Sequence, residues 1–125
     1  MTPIEVPIIV DARGDVGLFR TVDAAEGYLE PIDVENAEYV AYDSAGRLLE
    51  LSVEAVQVRR LFGLASGSEE RVRVRAAEPH PGHTAELIAA LQQALAKVGD
   101  GMPVERSSSP EDLVSRYAAR AGFLA

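Results

Sequence analysis

The chain has 125 residues, 47% hydrophobic and 26% charged, a composition that fits one globular domain over residues 1–125 and excludes global disorder. It has no cysteine, which excludes a disulfide framework, a thiol nucleophile and thiolate metal ligation. Its net charge of -8 argues against nucleic acid as a ligand, because phosphates need cations.

The N-terminus lacks the basic stretch of a secretory signal, and Glu5 interrupts the only apolar run near it. Val6 to Val10 is far too short to span a bilayer. The expectation is a soluble, cytoplasmic protein with no membrane contact. The charge is unevenly spread. Residues 1–54 hold twelve acidic and three basic side chains (Arg13, Arg20 and Arg47), whereas residues 55–125 hold eight and nine. Between Thr21 and Asp43 there are seven acids and no base, a surface suited to a basic protein partner.

Taken in chain order, Ile4 to Val10 reads as a strand rich in β-branched residues. Asp11 to Asp15 has turn chemistry, and Val16 to Arg20 reads as a second strand. Thr21 can cap a helix with Asp23 in its first turn and Val22, Ala25 and Leu29 at helical spacing; Pro31 stops it. Glu38 to Tyr42 reads as a strand, Asp43 to Gly46 as a four-residue turn, and Arg47 to Val53 as the returning strand. Val56 to Leu64 reads as extended without a clear register, and Leu64 to Ser68 as a loop. Arg71, Arg73 and Arg75 alternate with Val72, Val74 and Ala76, the period of a half-buried strand.

Glu78 to Gly82 is a linker. Leu87, Ile88, Leu91, Leu95 and Val98 then form the apolar stripe of a helix over about 84–98, and Gly99 ends it. Residues 100–108 read as a loop. Ser109 caps a last helix over 110–121, with Pro110 at its first position and Glu111 and Asp112 at its positive end. Strands with one short helix, then strands, then two helices predict an α+β fold: an antiparallel sheet with helices packed on one face. Leu87, Leu91, Leu95, Leu113 and Tyr117 are the expected core of those helices.

No catalytic residue, metal ligand or cofactor motif stands out. His80 and His83 lack a third ligand beyond Glu78 or Glu86 and read as the turn into a helix. Ser107, Ser108 and Ser109 have no nucleophile-elbow surroundings, and Ala65 to Ser68 lacks the Lys and helix of a phosphate loop. Gly14 and Gly17 sit among acids that repel phosphate. Arg71, Arg73 and Arg75 share one strand face, where pairing with Glu50, Ser52 and Glu54 on a neighbouring strand explains them better than an anion site. An enzyme using Asp11, Asp15 or Glu30 as acid or base is the weakest reading. The acidic run is the stronger feature. Asp23, Glu26 and Glu30 fall at i, i+3 and i+7, and Asp33, Glu35 and Glu38 continue it. These six are the expected partner-binding residues; a solvated face that only aids solubility is the alternative.

The stretches Tyr28-Leu-Glu-Pro-Ile-Asp-Val34, Glu38-Tyr-Val-Ala-Tyr-Asp43 and Gly46-Arg-Leu-Leu49 resemble small bacterial immunity proteins of polymorphic-toxin systems. The resemblance covers roughly residues 15–51. It implies a cytoplasmic, non-enzymatic protein, monomer or homodimer, that binds and blocks a cognate toxin, here a basic toxin domain. A small accessory or regulatory protein-binding module unrelated to toxins is the competing expectation.

Overall fold

The computed structural model describes residues 3–59, 66–99 and 109–125. The elements are β1 (Ile8–Ala12), β2 (Asp15–Phe19), α1 (Val22–Tyr28), α2 (Pro31–Glu35), β3 (Val40–Tyr42), β4 (Leu48–Arg59), β5 (Ser66–Ala77), α3 (Thr84–Lys97) and α4 (Pro110–Ala121). The five strands make one antiparallel sheet in the order β2-β1-β3-β4-β5, so the fold is α+β.

The β1–β2 turn is shorter than the composition of residues 11–15 implies. Ala12 pairs with Asp15, leaving only Arg13 and Gly14 in the loop. Both have positive φ, 53° and 98°, as a tight hairpin turn requires, and Asp11 Oδ1 accepts the Gly14 N–H at 2.7 Å. The first strand begins at Ile8, not Ile4. The preceding segment instead docks on the Asp43–Gly46 turn: the Ser44 N–H donates to Glu5 O at 2.9 Å and the Ser44 hydroxyl to Val6 O at 3.1 Å.

Strand alternation sends side chains to two cores. Ile9, Leu18 and Tyr42 point to one face, where Leu87, Leu91 and Leu95 of α3 and Leu113, Val114 and Tyr117 of α4 cover them. All five core residues expected on the two long helices are buried. Ile8, Val10, Phe19, Ala41, Leu49, Val72 and Val74 point to the opposite face, against Ala25 and Leu29. The short helices α1 and α2 thus cover the face that α3 and α4 leave open, an addition to the one covered face expected. Gly17 faces the same side as Val10, and a Cβ there would stand 2.4 Å from Leu124 Cδ1.

Caps behave as their chemistry dictates. The Ala24 N–H donates to Thr21 Oγ1 at 3.0 Å, and the Asp112 N–H to Ser109 Oγ at 3.2 Å. Val56 to Arg59 continue β4 without a break, and Ser66 to Ser68 belong to β5 instead of the loop expected over 64–68. Leu64, Ala65 and the loop expected over 100–108, with Ser107 and Ser108, lie outside the described residues.

The two histidines have unlike surroundings, and His80 is exposed. His83 flanks α3, and its Nδ1 lies 2.9 Å from Glu78 Oε2, while Glu78 Oε1 accepts the N–H groups of Leu48 and Gly82 at 3.0 and 2.9 Å. The Leu48 N–H, then His83, pull the Glu78 carboxyl down to about 2. The hydrogen bond to Glu78 raises His83 above 6.5. The stabilisation from His83 is therefore complete below pH 6.5 and fades as pH rises through its raised folded value. The Glu78 contribution is present above 4.5 and fades as pH falls through about 2. The thermal midpoint should fall as pH is raised above 6.5, and His83→Ala should remove that step; an identical profile in the variant would contradict the pairing.

Candidate functional site

The N-cap Thr21 starts α1, and the helix ends at Tyr28 because the next turn would run into Pro31. The residue before a proline is driven out of helical geometry, and Glu30 accordingly sits at φ -89°, ψ 128°. Glu30 is therefore not on α1 but precedes α2, whose first position Pro31 occupies. The expected stripe of three acids, Asp23, Glu26 and Glu30, on one helix is broken there. A cleft lies beside this bend, between the α1–α2 connection and β5.

The cleft has a volume of about 450 Å³ and runs between that connection (Gly27 to Pro31, with Asp23 and Glu26) and Glu69 to Arg73 of β5. It gathers the carboxylates of Asp23, Glu26, Glu30, Glu69 and Glu70, and the guanidiniums of Arg71 and Arg73. Both cations are engaged within the chain. Arg73 lies 3.6 Å from Glu26 and 3.2 Å from Glu54; Arg71 lies 3.2 Å from Glu69. Asp23, Glu30 and Glu70 have no cationic partner among the described residues, so the cleft presents net negative charge.

The six acids singled out from the sequence have unlike surroundings. Glu26 is mostly buried, its side chain 13% exposed; its Oε2 accepts the Val74 N–H at 2.9 Å and its Oε1 meets Arg73. It joins α1 to β5 and is part of the scaffold. Asp33 accepts the Tyr39 hydroxyl at 3.0 Å; burial, then this hydrogen bond, raises the Tyr39 pKa. Glu38 pairs with Arg13 of the β1–β2 turn at 3.3 Å. Asp23, Glu30 and Glu35 are exposed. Among them stand two large apolar side chains, Tyr28 at 53% and Ile32 at 64% exposure. The inner side of Tyr28 rests on Phe19, with ring centroids 5.2 Å apart.

Glu69, Glu70, Tyr28 and Ile32 were not singled out from the sequence as site residues. Glu69 and Glu70 adjoin the Arg71 to Ala76 alternation, and extending that strand by a few residues would have placed them on it. Tyr28 and Ile32 carry no comparable signal, because Val22, Ala25 and Leu29 already satisfy the apolar stripe of α1.

Two of the three arginines pair across the hairpin as expected: Arg73 and Arg75 reach Glu54 at 3.2 and 3.0 Å, and Arg75 donates to Ser52 at 3.0 Å, whereas Arg71 turns to Glu69 on its own strand and none of the three reaches Glu50. Asp11 and Asp15 belong to the β1–β2 hairpin and do not line the cleft that holds Glu30. Among the described residues no group of three or more His, Asp and Glu is placed to hold a metal ion, and no helix is long and apolar enough to cross a membrane. Comparisons with protein families, with curated proteins and with solved structures find no match to this chain.

Proposed function

We propose that this protein is a non-enzymatic, immunity-type inhibitor that binds a basic toxin domain in the bacterial cytoplasm and blocks it sterically. The observation that carries this reading is the α1–α2 surface, where Asp23, Glu30 and Glu35 are exposed around the half-exposed Tyr28 and Ile32. Apolar anchors surrounded by charge are the anatomy of a protein-binding surface. The carboxylates steer a cationic partner inward, and Tyr28, already held against Phe19, loses little freedom on contact.

The toxin is sought in the product of the gene immediately upstream. Co-expression of this chain should restore growth to cells producing that protein. Tyr28→Ala should weaken the complex by about 2 kcal/mol or more, roughly 30-fold in Kd, if Tyr28 is an anchor. Growth that stays arrested in the presence of folded wild-type chain would overturn the toxin assignment.

A further inference from the structure

Tyr28 borders two depressions: the acidic cleft and a separate pocket of about 370 Å³ over the β1–β2 hairpin. The hairpin sequence makes the second one. On this face Val10 lies opposite Gly17 and Ala12 opposite Asp15, so two small residues leave a hollow beside the buried Val10 and Phe19. Leu124 Cδ1 leans into it, so close that a Cβ on residue 17 would clash with it. The Leu124 N–H donates to Leu18 O at 2.8 Å and the Arg20 N–H to Ala125 O at 3.0 Å, which hold that side chain over the hairpin. Tyr28, resting on Phe19, and Tyr39, whose hydroxyl donates to Asp33 at 3.0 Å, supply aromatic walls. Asp15 is the one carboxylate among the described lining residues. It is exposed and has no cationic partner among the described residues; Arg13 in the adjoining turn is engaged by Glu38 at 3.3 Å.

We propose that this pocket receives an arginine side chain presented by the basic protein partner. The proposal rests on the protein-binding reading above and names the partner residue that fits beside Tyr28. The alkyl stem of an arginine lies on the apolar hollow of Ala12 and Gly17, where Leu124 already packs an alkyl group. Its planar cation stacks on the tyrosine faces, and its fork of N–H donors meets the Asp15 carboxylate. A purely apolar side chain would leave Asp15 unanswered, and a lysine lacks the plane that stacks on a ring. Tyr28 and Leu124, each 53% exposed, are the apolar side chains that such a contact covers.

The probe is the capped tripeptide Gly-Arg-Gly, with capped Gly-citrulline-Gly as an uncharged counterpart of the same shape. Titrated into the full chain and followed by amide NMR, the arginine peptide should shift Ala12, Gly17 and Tyr39 saturably. It should bind at least about fivefold more tightly than the citrulline peptide, the scale of one partly exposed charge pair with an aromatic contact. Asp15→Asn should reduce that preference below about twofold; the position is exposed, so the fold should survive the change. Gly17→Val fills the hollow and should weaken both peptides at least about tenfold; if that variant fails to fold, Asp15→Asn decides alone. Equal affinity of the two peptides for the wild type, an unchanged preference in Asp15→Asn, or no saturable shift overturns the pocket. So do shifts confined to Asp23, Glu30 and Arg73, which would leave the acidic-surface reading standing and place the contact in the cleft. The expected peptide preferences together with failed growth rescue would support the pocket and remove the toxin assignment.

Discussion

Arg47→Met should destabilise the protein by about 3–5 kcal/mol, the cost of leaving one member of a buried ion pair alone. Asp43 is 0% and Arg47 4% exposed. Asp43 Oδ2 accepts from Arg47 Nε at 2.9 Å and from the Glu5 N–H at 3.2 Å; its Oδ1 accepts the N–H groups of Ala45 and Arg47 at 3.1 and 3.0 Å. Arg47 also donates to Pro3 O. The pair is thus the knot that ties the N-terminal segment to the β3–β4 turn. Without the guanidinium, a carboxylate stays buried with only backbone donors. Urea unfolding should show a lower midpoint with an unchanged slope. A loss below about 1 kcal/mol would mean that water reaches Asp43 and compensates. The neighbouring Gly46 is equally constrained. Its φ is +84°, and an added Cβ would lie 2.7 Å from Thr84 Oγ1, so the turn is also pressed against the start of α3.

Leu91→Ala should cost about 2–5 kcal/mol. Leu91 is 0% exposed and sits in the cluster formed by Ile9, Leu18 and Tyr42 of the sheet with Leu113 and Tyr117 of α4. The cavity would open where sheet and both long helices meet, leaving little room for collapse. The adjacent Gln92 is exposed, and Gln92→Ala should stay within about 0.5 kcal/mol of the wild type. Equal effects at the two positions would show that the buried stripe of α3 is misassigned.

The long helices were legible because their signals are local. Leu87, Leu91 and Leu95 repeat at helical spacing, and Ser109-Pro110 marks the start of α4 without reference to the rest of the chain. The turn at Asp43 to Gly46 was equally local, whereas the burial of its Asp–Arg pair depends on Pro3 and Glu5, about 40 residues away in sequence. The two-faced covering of the sheet was harder to read. α2 has only five residues, too few to show a period, and the Pro31 that ends one helix also begins the next. The start of β5 was hidden because Ser66-Gly67-Ser68 has the composition of a loop, although β4 pairs with it through Arg59. Glu26 shows the same limit at the candidate site. Its spacing placed it among free surface acids, but packing of α1 on β5 makes it a bond between elements 48 residues apart.

That distinction shapes the decisive measurement. Reversing Glu26 would disturb α1 and β5 together, so the charges to reverse are the exposed ones, Asp23, Glu30 and Glu35. Stopped-flow association of this chain with the upstream gene product should be followed from 0.01 M salt, where the Debye length is about 30 Å, to 1 M, where it is about 3 Å. At low salt the Asp23→Lys, Glu30→Lys, Glu35→Lys protein should associate at least about tenfold more slowly than the wild type, with a flattened salt dependence and an unchanged far-ultraviolet circular dichroism spectrum. An association rate equal to that of the wild type at low salt would show that the acidic α1–α2 surface is not where this protein meets its partner.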